Sequence, residues 1–169
     1  MTNTLTTQLR LAIGWQLRKV LDLSTVADQG AVQYDADFAN GVETDQADAL
    51  WHDRRTLLAG ASDDLDLASG LTNSLGESLS FAKLKGLFLR NLTLTPDEII
   101  DLGGGSNPFE SWLGAGGDAI HVGPGGVLLV WNPATAGYPV AAGTADILRV
   151  TNAGASPLDY EVILIGTTS

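Results

Sequence analysis

Leu9-Arg10-Leu11-Ala12-Ile13-Gly14-Trp15-Gln16-Leu17-Arg18 alternates large apolar side chains with small or polar ones. In extended backbone successive side chains point to opposite faces, so Leu9, Leu11, Ile13, Trp15 and Leu17 share one face of a strand. Leu9, Ile13 and Leu17 also stand four apart, as on a helix, but Leu11 and Trp15 would then splay around the cylinder. The pattern favours a strand whose apolar side needs a cover, and these residues are the candidate partner-binding set.

Following this strand, Ser24 to Ala49 turns polar and acidic, with Asp28, Asp35, Asp37, Glu43, Asp45 and Asp48 and only a short alternation, Tyr34-x-Ala36-x-Phe38. It reads as an extended arm or long loop. Beyond Leu50 the chain breaks into short apolar runs: Leu65-x-Leu67, Leu79 to Leu92, Ile120-x-Val122, Gly126 to Trp131, Ala145 to Val150 and Tyr160 to Ile165. Gly103-Gly104-Gly105, Gly123-Pro124-Gly125-Gly126, Asn132-Pro133 and Asn152-Ala153-Gly154 punctuate them. Short strands between such turns, with no long amphipathic helix, predict an all-β antiparallel β-sandwich, jelly-roll-like, with an extended N-terminal arm. The division expected is an arm over 1–48, serving oligomerisation or docking, and a sandwich over 49–169. In the last run Tyr160, Val162 and Leu164 take one face and Ile163 and Ile165 the other, so this strand is expected to be central or covered. Thr95-Pro96-Asp97-Glu98 has the spacing of a capping box with proline at the first helical position, which predicts a brief helical turn over Ile99 to Leu102.

The length of 169 residues suits one ordinary domain. A net charge of −11 argues against nucleic acid and anionic membrane as partners, since both call for a positive surface. Absence of Cys removes disulfides, thiolate nucleophiles and thiolate metal sites. The start, Met1 to Leu5, lacks the basic-then-apolar order of a secretory leader, which suggests synthesis in the cytoplasm.

Catalytic signatures are weak. His52 and His121 have no recognisable nucleophile or metal partner and read as structural histidines. The clusters Asp63-Asp64-Leu65-Asp66 and Tyr34-Asp35-Ala36-Asp37 offer oxygens suited to calcium, but they lack the glycine and distal glutamate of an EF-hand, and a solvated strand face is the favoured account of the same residues. Gly103-Gly104-Gly105-Ser106 lacks the lysine of a phosphate loop. Asn91-Leu92-Thr93 matches a glycosylation acceptor by accident of composition. Lys83, Lys85 and Arg90 form a basic cluster in which the two lysines share a strand face, open to pairing with acidic neighbours or with an acidic partner. No catalytic residue, metal site or cofactor is expected.

From about Ala49 to the end the chain resembles small virion structural proteins of tailed bacteriophages. The residues carrying the likeness are Asp53-x-Arg55-Thr56-Leu57, Ser62-Asp63-Asp64-Leu65-Asp66-Leu67, Phe81-Ala82-Lys83-Leu84-Lys85, Trp112-Leu113-Gly114, Pro124-Gly125-Gly126-Val127-Leu128-Leu129, Gly143 to Asn152 and Tyr160 to Gly166. They are structural punctuation over roughly two-thirds of the chain and carry no chemical signature. The resemblance implies a non-enzymatic capsid decoration protein or other minor particle component, assembled in the host cytoplasm and resident in the virion. Its implied partners are its own copies, with a trimer the first expectation, and virion proteins such as the major capsid protein. It also implies a plain polar turn into a strand at Leu92 to Asp97, where this chain carries the capping-box pattern instead. The alternative is a receptor- or carbohydrate-binding module of a fibre or tail, with Trp51, Trp112 or Tyr138 as stacking platforms; a hydrolase using the acidic pairs is a third.

Overall fold

The computed structural model describes residues 3–169; Met1 and Thr2, part of the start read above for a leader, lie outside the described residues. The strands in chain order are β1 (Thr7–Val20), β2 (Thr25–Asn40), β3 (Gln46–Ala47), β4 (Ala49–Leu57), β5 (Ser62–Asp66), β6 (Leu71–Thr72) and β7 (Ser78–Leu79). They continue with β8 (Lys83–Asn91), β9 (Ile100–Gly103), β10 (Ala119–Val122), β11 (Val127–Trp131), β12 (Tyr138–Pro139), β13 (Ile147–Asn152) and β14 (Leu158–Thr167). The protein is all-β, with no helix among the described residues and with several sheets whose ladders are antiparallel apart from the short β2–β3 pairing.

The larger sheet of the body runs β11-β8-β14-β4, with β12 also on β8; a second sheet runs β10-β9-β13-β5. Their apolar faces supply one core. Leu84, Leu87, Leu89, Tyr160, Val162 and Leu164 come from the first sheet, and Leu65, Ile100, Leu102, Leu148 and Val150 from the second. Strand β14 lies between β8 and β4 and is apolar on both sides, as its sequence predicts: Tyr160 and Leu164 are wholly buried while Ile163 emerges on the outer face.

Two expectations need correction. The acidic stretch after Ser24 is not a loop, because Thr25–Asn40 pairs residue for residue with β1 from Val20↔Thr25 to Thr7↔Phe38. Asp35 and Asp37 fall on the same face as Arg10, opposite Arg10 and Gln8, while Asp28 stands opposite Leu17 near the turn, and polar residues on one side of a ribbon are no obstacle to strand pairing. The helical turn over Ile99 to Leu102 is also absent. Asp97 has φ of 67°, which breaks the helix, and Ile100–Gly103 forms β9 between β10 and β13. Burial of Ile100 and Leu102, both fully inaccessible, outweighs the few tenths of a kcal/mol per residue that local helix preference supplies.

Two buried asparagines tie the loops to this core. Asn152 donates its amide to the carbonyls of Leu57, Leu58 and Ser156 at 3.1, 3.1 and 2.8 Å and accepts from the Gly154 amide. Asn91 donates to the carbonyls of Glu98 and Val122 and accepts from Thr93, so the glycosylation-like asparagine is engaged inside the fold and wholly buried. Replacing Asn152 by Ala strands several buried carbonyls, each costing about 1–3 kcal/mol. Asn152→Ala is therefore expected to lower stability by roughly 2–4 kcal/mol, read as a loss in the denaturant midpoint at unchanged slope.

Candidate functional site: an amphipathic hairpin and its root

Strands β1 and β2 form a ribbon with two unlike faces. On one, Leu9, Leu11, Ile13, Trp15 and Leu17 stand opposite Ala36, Tyr34, Val32, Gly30 and Asp28. On the other, Arg10, Ala12, Gly14 and Gln16 stand opposite Asp35, Gln33, Ala31 and Gln29. The apolar face is exposed over most of its length: Ile13 is 59% accessible, Leu17 71%, Val32 60% and Val26 57%. The turn adds Leu21 and a fully exposed Leu23. Trp15 lies flat across the ribbon, because Gly30 opposite it has no side chain; a Cβ there would come within 2.4 Å of the indole. This glycine levels the apolar face.

Only the root of that face is covered within the chain. Phe38, wholly buried, stacks on Trp131 of β11 with ring centroids 4.2 Å apart, and Thr7 and Leu9 are half-buried beside it. Of the predicted partner-binding residues, Leu9 is thus partly taken up by its own chain, while Leu11, Ile13, Trp15 and Leu17 extend beyond the cover. Next to Leu9 a shallow apolar groove opens on the outer face of the larger sheet, lined by Phe88, Leu129, Trp131, Ile163 and Ile165.

Lys85 secures the root. The register of β8 against β14 slips between Ile165↔Gly86 and Gly166↔Leu84, leaving Lys85 as the extra residue of a bulge. A bulge re-aims the side chain it displaces. Here the ammonium donates to the backbone carbonyls of Glu43 and Gln46, at 2.9 Å for the latter, and lies 5.9 Å from the Phe38 ring centroid. Burial holds its pKa below the ordinary lysine value, with Lys83 adding to the effect. The expectation that Lys83 and Lys85 face an acidic partner together is corrected: Lys85 is fully buried in its own chain. The hydrogen-bonding demand of the carbonyls after β2, invisible in a linear pattern, decides its place.

The acidic cluster is also occupied from within. Asp63 accepts from Arg55 and from the Tyr160 hydroxyl, both at 2.7 Å; Asp64 takes Arg149 in a two-point pair at 2.6 and 2.7 Å; Asp66 accepts from Ser69 and the Ala68 amide. Burial, then the hydrogen bond to Asp63, pushes the Tyr160 hydroxyl up. Burial disfavours the Arg55 charge, but its bonds to Asp63 and Asp53 outweigh that and hold it above the usual arginine value. No group of three or more acidic, histidine or cysteine side chains arranged to hold a metal occurs among the described residues. His121 is bonded to Asp101, and His52 stands exposed opposite Ile163. As stacking platforms the aromatics fare unevenly. Trp51 is buried beneath Arg55, and Trp112 is half-buried against Phe109, with its Nε1 donating to the Phe109 carbonyl. The exposed aromatic surface is instead Trp15 and Tyr34 on the hairpin.

Comparison with protein-family models, curated proteins and solved structures finds no match.

Two outcomes follow from this geometry. Lys85→Met keeps the stem but removes both donated bonds; hydrogen exchange over residues 5–47 is expected to quicken at least tenfold while the body sheets stay protected, an opening cost of about 1–3 kcal/mol. Arg149, Ser69 and Thr56 lead in holding the carboxylates of Asp64, Asp66 and Asp159 below the usual range. A carboxylate depressed in the folded state stabilises above its unfolded pKa and loses that contribution as pH falls through the folded value. Melting temperature should therefore be level from about pH 7 to 5 and decline below about pH 4, shallowly because the pairs are exposed, and less in Asp64→Asn than in the parent.

Proposed function

We propose that this protein is a non-enzymatic structural component of a particle, a capsid decoration or other minor virion protein of a tailed bacteriophage, acting through its hairpin. On this reading the body is a β-sandwich, jelly-roll-like, over 49–169, and residues 1–48 are an arm that binds other copies and virion proteins. The observation that carries it is the uncovered apolar face from Leu11 to Leu17, with Val26, Val32 and Tyr34 opposite. A two-stranded ribbon has marginal stability by itself, and a face this apolar is a standing risk of aggregation unless something covers it. Virion membership itself comes from the likeness of the segments between Asp53 and Gly166 to phage structural proteins. A receptor- or glycan-binding module is the second reading, and it draws on the half-exposed Trp112 and Tyr138.

Joining Arg10 to Asp35 through Asn-Gly, a turn that suits a tight hairpin, removes the exposed ribbon and keeps its root. This variant is expected to fold and melt like the parent body but to be lost from particles. Mass spectrometry of purified particles from the source that encodes the chain should find the parent in fixed stoichiometry. Absence of the parent from particles, or undiminished incorporation of the shortened variant, overturns the reading.

A further inference from the structure

We propose that the free part of the hairpin's apolar face packs on the outer face of the larger sheet of a neighbouring copy of this chain. The inference rests on the hairpin being an assembly element, as above, and names its seat.

Within one chain the same ribbon face already makes this kind of contact. Its root stacks Phe38 on Trp131 on the outer side of β11-β8-β14, with Leu9 at the border of the groove that Ile165 also lines. That cover stops short. Phe88, Leu129 and Ile163 lie in neighbouring strands, paired Leu129↔Phe88 and Phe88↔Ile163, and remain partly open as one apolar band beside the root. Val127, 56% accessible, extends it. One molecule therefore has a surplus of ribbon face and a deficit of cover on the very surface that this ribbon face fits.

The free ribbon face is large enough for a stable contact. Leu11, Ile13, Trp15, Leu17, Val26, Val32 and Tyr34 are each 43–71% accessible, on the order of 700 Å² together, near the ~800 Å² each partner gives to a stable interface. On the apolar face beyond the root the only charges are Lys19 and Asp28, diagonal neighbours near the turn. The sheet band is bordered by Arg54 and Arg90, both paired in register with Glu161, and by Asp159, which Arg54 bonds at 3.1 Å. Asp28 and Lys19 at the far end of the ribbon thus meet arginines and carboxylates at the edge of the seat. A bilayer would meet Asp28 and Lys19 with no such partners. The contact joins two different surfaces, so copies satisfy it either by reciprocal exchange of arms in a dimer or by passing each arm on around a closed ring such as a trimer.

The chain has no cysteine, so single-cysteine variants report contacts cleanly. Full-length Leu17→Cys and Leu129→Cys proteins, mixed and treated with a short bismaleimide, are expected to form mixed cross-links, with Gln16→Cys on the polar face forming at least tenfold fewer. Ile13→Glu should raise the concentration needed for assembly at least tenfold while leaving the circular dichroism of the body unchanged. Cross-linking of Leu17→Cys to itself instead means arm against arm and overturns the proposal. So does a parent chain of monomer mass, including a monomer that binds phosphatidylcholine vesicles. A purified chain that passes these tests yet never enters particles leaves this contact standing and removes only the virion reading.

Discussion

The bulge at Lys85 in β8 is the constraint on which the architecture turns. On the inner side of this central strand Leu84, Leu87 and Leu89 fill the common core; on the outer side the displaced residue sends a cation into the root of the hairpin. A buried ammonium is costly unless its protons are taken up, and the Glu43 and Gln46 carbonyls take them at the place where the chain leaves β2. Phe38 closes the same spot by stacking on Trp131. Body and ribbon are thereby joined at the ribbon's root, and the apolar face beyond Leu9 is left open within the chain.

That division explains where charge and apolarity fall. Several acidic side chains of the body are held by arginine, serine and threonine donors, as Asp64 is by Arg149 and Asp159 by Thr56 and Arg54. They stabilise loops and strand faces and leave no convergent set of oxygens among the described residues. The ribbon has the opposite character, with its polar face satisfied by side chains such as Gln16 with Gln29 and its apolar face open.

What was readable without coordinates follows the range of each interaction. The alternation from Leu9 to Leu17 and from Tyr160 to Ile165 is local, and both segments are strands with the faces their period implies. Within the punctuating stretch Gly123 to Gly126, Gly125 has φ of 68° and Gly126 donates to the Gly123 carbonyl, as a turn requires. The capping box at Thr95 is equally local yet misleads, because the burial of Ile100 and Leu102 is decided by strands tens of residues away. Tyr34-x-Ala36-x-Phe38 held a usable signal for β2, but three alternating residues amid aspartates do not distinguish a strand from an extended loop until a partner strand is known.

The amino-acid order by itself determined that this is an all-β protein and which face of the first strand is apolar, since both depend on the two-residue period of extended backbone. Only the tertiary structure decided that β1 pairs with the acidic segment, that Lys85 and Trp51 are interior residues, and that the cover of Leu9 stops before Leu11. The physical reason is that a side chain's direction is set by its own backbone, whereas its burial is set by whatever the rest of the chain places opposite it.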